Sequence, residues 1–161
     1  MVRAHEDWVA HGHESPDLVI AMASLVRAHQ IVNNRVDTIL KPYGLNMMRY
    51  NALSTLSMAT GGRPTGRVAW GLMIHPATVT AVIDRLVEDG LVERKPHPDD
   101  RRATLVVITP KGQTIHRKST DELTEAKFGL DGLTDAEARQ LTKVLKPLRE
   151  SAGDIKARPT K

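Results

Sequence analysis

Pro76 and Gly90 bracket a segment whose apolar residues, Val79, Val82, Ile83 and Leu86, recur at helical spacing. Proline suits the first helical position, where its missing N–H is not needed. Glycine suits the C-cap, where a left-handed backbone ends a helix. The segment therefore reads as a helix running from Pro76 to about Asp89. Its other face is small near the start: Ala77, Thr78, Thr80 and Ala81. Such a helix packs by one side and lets its backbone approach something closely with the other. That constraint organises the chain on either side of it.

Upstream, Asn46 is placed to cap a helix from 47 to about 59, with Leu53 and Leu56 inward. Residues 60–64, Thr-Gly-Gly-Arg-Pro, read as a turn. A short helix from Thr65 to about Met73 turns Val68, Ala69 and Leu72 inward. The tight Met73-Ile74-His75 turn joins it to the helix at Pro76, which makes a helix-turn-helix. Downstream, 91–94 and 105–108 are rich in β-branched residues and read as two strands. The prolines between them, Pro96 and Pro98, are expected to keep 95–103 out of a regular ladder, so that it projects as a loop. Arg94, Lys95, Arg101 and Arg102 flank the loop, and Glu93, Asp99 and Asp100 nearly cancel them.

Two further helical regions flank this head. Asp17 is placed to cap a helix in which Leu18, Met22, Leu25, Val32, Val36 and Ile39 alternate in steps of four and three, with His29 filling the gap. Lys41-Pro42 and Tyr43-Gly44 end it. A helix this long with so narrow a seam suits packing along a partner helix. Thr109-Pro110 opens another helix to about Phe128, which 129–132 break. Thr134 and Glu137 form a capping box. It opens a last helix with Leu141, Val144, Leu145 and Leu148 expected inward and Pro147 as a kink point. The fold class is thus mostly α with a small β-hairpin wing. A flexible segment, 1–16, precedes a dimerisation helix, 17–44. A winged helix-turn-helix region, 45–109, and C-terminal helices, 110–150, follow, then a tail, 151–161.

The core must be aliphatic, since only 3% of the 161 residues are aromatic while 40% are hydrophobic. The net charge of +4 suits a polyanionic partner, and equally a solvated basic surface. The absence of cysteine excludes disulfides, iron–sulfur clusters, Cys-ligated zinc and a thiol redox switch. Residues 1–10 carry Glu6 and Asp7 without an apolar run, unlike a secretory signal. No stretch approaches the roughly 18 apolar residues of a membrane span. A soluble cytoplasmic protein with no membrane partner is expected. No glycine-rich phosphate loop, metalloprotease motif, serine nucleophile elbow or cysteine nucleophile is present, so neither an enzyme nor a cofactor is expected.

The small start of the helix at Pro76 suits the major groove of double-stranded DNA, where a threonine hydroxyl can bond base edges or its methyl can touch thymine. The free N–H groups there attract phosphate. Arg85, one turn on, reaches a phosphate or pairs with Asp84 or Glu88. Those two acids limit groove entry to the first two turns. An arginine at the loop tip suits a narrow minor groove. The candidate DNA-binding residues are Pro76, Ala77, Thr78, Thr80, Ala81, Arg85, Arg94, Lys95, Arg101 and Arg102. Two alternatives stay open. One is a dimerising winged-helix module that binds protein. The other is a metal-responsive regulator using His5, His11 and His13, though no metal ligand set is assigned.

Ala77-Thr78-Val79-Thr80, Asp84-Arg85-Leu86, Gly90-Leu91-Val92, Asp100-Arg101-Arg102-Ala103 and Ile108-Thr109-Pro110-Lys111-Gly112 strongly resemble the MarR family of bacterial regulators. The resemblance runs from about Leu18 to Leu148 and is most specific from His75 to Gly112. It implies a homodimer whose first and last helices intertwine, with winged heads on a pseudo-palindrome. It also implies that the helix from Pro76 reads the major groove and that Arg102 reaches the minor groove. It further implies a repressor released by a small aromatic or phenolic acid, bound between the dimer helices and the head. Such a pocket would be lined by the first, second and fifth helices, with Arg27, His29, Arg49 and Tyr50 as candidates to meet the carboxylate. The simpler role for His29 is a satisfied interior or interface histidine, and Arg49 serves equally as a phosphate contact or surface charge. Two positions depart from the pattern. His75 stands where a serine cap is frequent, and Trp70-Gly71 stand where polar residues are common. Gly71 costs its helix about 1 kcal/mol relative to alanine.

Overall fold

Asn46, His75, Thr109 and Thr134 each close the start of a helix with a side-chain hydrogen bond. The computed structural model describes residues 8, 10–11, 16–72, 75–98 and 103–154. Along them run α1 (Pro16–Leu40), a 3-10 turn (Lys41–Tyr43), α2 (Met47–Ser57), β1 (Arg63–Pro64), α3 (Thr65–Leu72) and α4 (Pro76–Glu88). Then come β2 (Val92–Pro96), β3 (Thr104–Ile108), α5 (Pro110–Glu125), a second 3-10 turn (Lys127–Gly129) and α6 (Asp135–Ser151). Asp17 lies in the first turn of α1 instead of capping it, because the helix already begins at Pro16. The proposed flexible segment 1–16 and the end of the tail lie largely outside the described residues.

The sheet has three antiparallel strands in the order β1-β3-β2. Two features differ from expectation. Residues 63–64, read as part of a turn, form an edge strand, with Arg63 opposite Val106 and Pro64 opposite Leu105. Gly62 makes this approach possible. Its φ is +96°, and a Cβ there would stand 2.7 Å from Val107 Cγ2 and 2.8 Å from the Val106 carbonyl oxygen. The wing ladder also runs further than expected, to Pro96 opposite Thr104. His97 N–H donates to the Ala103 carbonyl at 3.1 Å. Alternation then aims the missing Pro96 N–H away from β3, so an edge strand tolerates the proline.

The core surrounds α2, which packs on α1, α3, α4, α5 and β3. Leu53 and Leu56 of α2 are sealed among Leu40, Val68, Val79, Ile83, Leu86, Val106 and Leu123. Each such side chain contributes about 1.5–3 kcal/mol by burial. Gly112 lets α5 start against the loop before β2. A Cβ there would overlap the Leu91 carbonyl and stand 2.9 Å from Ile108 Cγ1.

The outer helices behave differently. Only Val36 and Leu40 of α1 are buried. Along its first sixteen residues it exposes Leu18 (71%), Met22, Leu25, Val26 and Ile31. No residue of α6 is buried, and Leu141, Val144 and Leu148 are exposed where an inward face was expected. The reason is topological: none of the described residues covers that face. The helix continues through Pro147. α5 ends at Glu125, ahead of the expected Phe128, because Lys127 and Phe128 adopt left-handed φ values of 49° and 53°. Among the described residues no helix is long and apolar enough to cross a membrane.

Candidate nucleic-acid interface

The head presents α4 through the residues that begin it. His75 takes a non-helical conformation, and its Nδ1 accepts the Ala77 N–H at 3.2 Å. The imidazole thus does the work of the serine cap common at this position. Pro76 sits at the first turn of α4. Thr78 N–H donates to the His75 carbonyl at 2.9 Å. Val79, Ile83 and Leu86 are wholly buried and clamp the helix onto α2 and α3. That leaves Ala77, Thr78, Thr80 and Ala81 exposed on one side. The short alanine and threonine side chains keep the backbone near the surface, as a groove-entering helix requires.

Further along α4 the charges are paired. Arg85 bonds Glu88 at 2.7 Å, and Glu88 raises the arginine's already high pKa through that bond. Arg94 of β2 bonds Asp84 at 2.7 Å, which ties the wing to the helix. Lys95 pairs with Glu93 at 2.7 Å. All are exposed, solvent-screened pairs that contribute little to stability. A phosphate can therefore displace their carboxylates at small cost. Arg101, Arg102, Asp99 and Asp100, at the loop tip, lie outside the described residues.

Sequence reasoning missed the brace at the far end of α4. Arg49 of α2 pairs with Asp89 and donates to the Gly44 carbonyl at 2.5 Å. Lys111 of α5 donates to the Asp89 carbonyl at 2.7 Å. Two cations therefore meet the C-terminal end of α4, where the helix dipole favours positive charge. The signal was faint: only the Asp89-Gly90 stop and a lysine after Pro110 hint at it. The brace links the C-terminal end of α4 to α2 and to α5.

The four residues expected to meet a carboxylate do not converge. Arg27 and His29 lie exposed on α1. Arg49 is held in the brace, beside a cavity of about 440 Å³ that Tyr43, Asp89 and Lys111 also line. Tyr50 is buried, with its hydroxyl 3.1 Å from Thr120 Oγ1 and its ring stacked on His116 at 5.4 Å. His116 Nε2 is 2.9 Å from Ser54 Oγ, and burial holds its pKa below the usual histidine value. A separate cleft of about 350 Å³ opens between α2 and α3, lined by Ser54, Arg63, Arg67, Trp70 and Gly71 among others. Among the described residues no three His, Asp or Glu side chains gather as a metal site would require, and His5 and His13 lie outside them.

The model of the MarR family matches residues 45–104. The chain is 32% identical over 124 residues to the HTH-type transcriptional repressor IacR of Pseudomonas putida, an alignment covering 75% of this chain and 72% of that one. In three dimensions it is similar to Sco5413, a MarR family transcriptional regulator from Streptomyces coelicolor. The TM-score is 0.81 and the identity 38%, over 88% of this chain and 99% of that one. It is also similar to CouR from Rhodococcus jostii RHA1, solved bound to p-coumaroyl-CoA. There the TM-score is 0.67 and the identity 25%, over 85% and 91% of the two chains.

Proposed function

The chain belongs to the MarR family of DNA-binding transcription regulators, which are not enzymes, and from that premise we propose that it acts as a homodimeric repressor on a pseudo-palindromic operator. The observation that carries this reading is the start of α4, where exposed small residues stand on a wholly buried apolar face. In the proposal Ala77, Thr78, Thr80 and Ala81 meet base edges, and the Pro76 turn presents N–H groups to a phosphate. Arg85, Arg94 and Lys95 exchange their carboxylates for phosphates. Arg101 and Arg102 carry the wing to the backbone or minor groove.

The head, 45–109, reads DNA, while 17–44 and 110–150 dimerise. Support for dimerisation comes from the uncovered apolar faces of α1 and α6, since leucines this exposed along two helices are costly to leave in water. A small aromatic or phenolic acid releases the operator. The similarity to a protein that binds p-coumaroyl-CoA favours an aromatic effector of this kind.

The test is a mobility-shift assay with the DNA upstream of the gene encoding the chain, at several salt concentrations. Retardation at low salt that weakens steeply as salt rises is expected, because phosphate contacts release counterions. Absence of retardation at low salt would refute the reading and favour a winged-helix module that binds protein.

A further inference from the structure

We propose that the cleft between α2 and α3 is the effector site, and that it takes a flat aromatic carboxylate held by Arg63 against the indole of Trp70. The inference rests on the effector reading above and adds where the effector sits and which side chains hold it.

The cleft is walled by Asn51, Ser54 and Thr55 of α2 with Met58 just past its end, by Arg63 of β1, and by Arg67, Trp70 and Gly71 of α3. Its volume of about 350 Å³ lies within the range of small-molecule sites. Two independent features give it a chemistry. The first is charge. Both charged residues that line it are arginines, and no carboxylate does so among the described residues. The Nε–H of Arg63 is buried and meets no acceptor among the described residues. Arg49 Nε is in the same state in the brace, but Arg63 lines a cleft without a carboxylate, and a bound carboxylate there would satisfy its donor. Pairing of β1 to β3 fixes the Arg63 backbone, so the donor is held in place.

The second feature is shape. Trp70 is 46% exposed and stands on the cleft wall with Met58, itself largely exposed. An indole face beside a thioether suits a planar ring. Gly71 keeps the floor open. A Cβ there would stand 3.5 Å from Thr55 Cγ2, in ordinary contact, so alanine fits the backbone yet occupies cleft space. The helical cost of Gly71 and the unusual position of Trp70 thus have one common account. Occupancy also has a route outward. Ser54 lines the cleft and bonds His116 of α5, while α3 leads directly into α4. A ligand wedged between α2 and α3 changes the spacing that sets α4.

The experiment uses the full chain carrying Trp8→Phe, so that Trp70 is its sole tryptophan. Tryptophan fluorescence and operator retardation are followed while 2-naphthoate is added, with neutral 2-naphthylmethanol and non-aromatic cyclohexanecarboxylate as comparisons. Saturable quenching by 2-naphthoate is expected, with at least tenfold weaker binding of either comparison compound. Release of DNA should occur over the same concentration range. Arg63→Gln should weaken 2-naphthoate binding at least tenfold while leaving DNA affinity without acid unchanged. Gly71→Ala, which favours the helix and so keeps the fold, should weaken it at least threefold.

Equal binding to both variants, equal binding of the neutral alcohol, or quenching without DNA release would each overturn the proposal. So would intact DNA binding with no 2-naphthoate binding at millimolar concentration, although the regulator reading would stand. Failure to bind DNA at all would refute the regulator reading, while quenching would still judge the cleft.

Discussion

Leu86→Ala and Leu148→Ala delete the same atoms from one chain with opposite expected consequences. Leu86 is 0% exposed in the core of the head, and Leu148 is 58% exposed on α6. The first substitution leaves a cavity and should lower folding stability by about 2–5 kcal/mol at a fixed protein concentration. The second removes little that a single chain buries. If α6 packs on a partner, more than half of the leucine surface remains to be covered there. Full burial of a leucine contributes about 1.5–3 kcal/mol, so the remaining part is worth about 1–2 kcal/mol per protomer. Both protomers carry the change, which gives about 2–4 kcal/mol per dimer, or a dissociation constant raised roughly 30- to 1,000-fold. Sedimentation velocity across a dilution series measures this directly. Leu148→Ala should shift the monomer–dimer midpoint upward while the helical content of the monomer stays constant. An unchanged midpoint would show that this face of α6 lies outside the interface and would refute the argument from exposure.

Three further expectations follow from individual contacts. His75→Ala removes the cap on the Ala77 N–H, and should cost about 1 kcal/mol in thermal unfolding, whereas His75→Ser should restore most of it. Gly112→Ala drives a Cβ into the Leu91 carbonyl, so its melting temperature should fall by more than that of Gly132→Ala, where a Cβ meets open space. His116 has a folded pKa lowered by burial, so its neutral form stabilises the fold fully above the unfolded value of 6.5. That contribution is lost as pH falls through the folded pKa. Denaturant titrations between pH 7.5 and 5 should therefore show a decline that His116→Gln flattens.

Much of the head was legible because each helix is punctuated locally. Asn46, the Pro76 start, Thr109 and the Thr134–Glu137 box act within one turn of themselves, and all four close helices in the structure. What depends on distant partners was not legible. β1 has two residues, one of them a proline, and exists only because β3 passes beside it. The place of Pro96 in the ladder depends on which side of β2 is the edge, which a run of residue types does not reveal. Periodicity puts Leu141, Val144, Leu145 and Leu148 on one apolar face but does not say whether the same chain covers it, and none of them is buried as expected. At the candidate interface, exposure of Ala77, Thr78, Thr80 and Ala81 follows from helical phase. The Arg49–Asp89 brace joins residues far apart in sequence, with only the Asp89-Gly90 stop and Lys111 as faint hints of it. Arg27, His29, Arg49 and Tyr50, grouped only by the pocket that the family resemblance implied, are dispersed in space.

The central claim is that the first two turns of α4 read bases. Binding-site selection from a random DNA pool, run in parallel for the unaltered chain and for Thr80→Ala, tests it most directly. The account predicts a symmetric pair of half-sites for the unaltered chain. It predicts that Thr80→Ala relaxes or changes the preferred base at one position in each half-site, with discrimination there altered by about 1–3 kcal/mol. Uniformly weaker binding with the same selected sequence would contradict it, since Thr80 would then touch only the backbone.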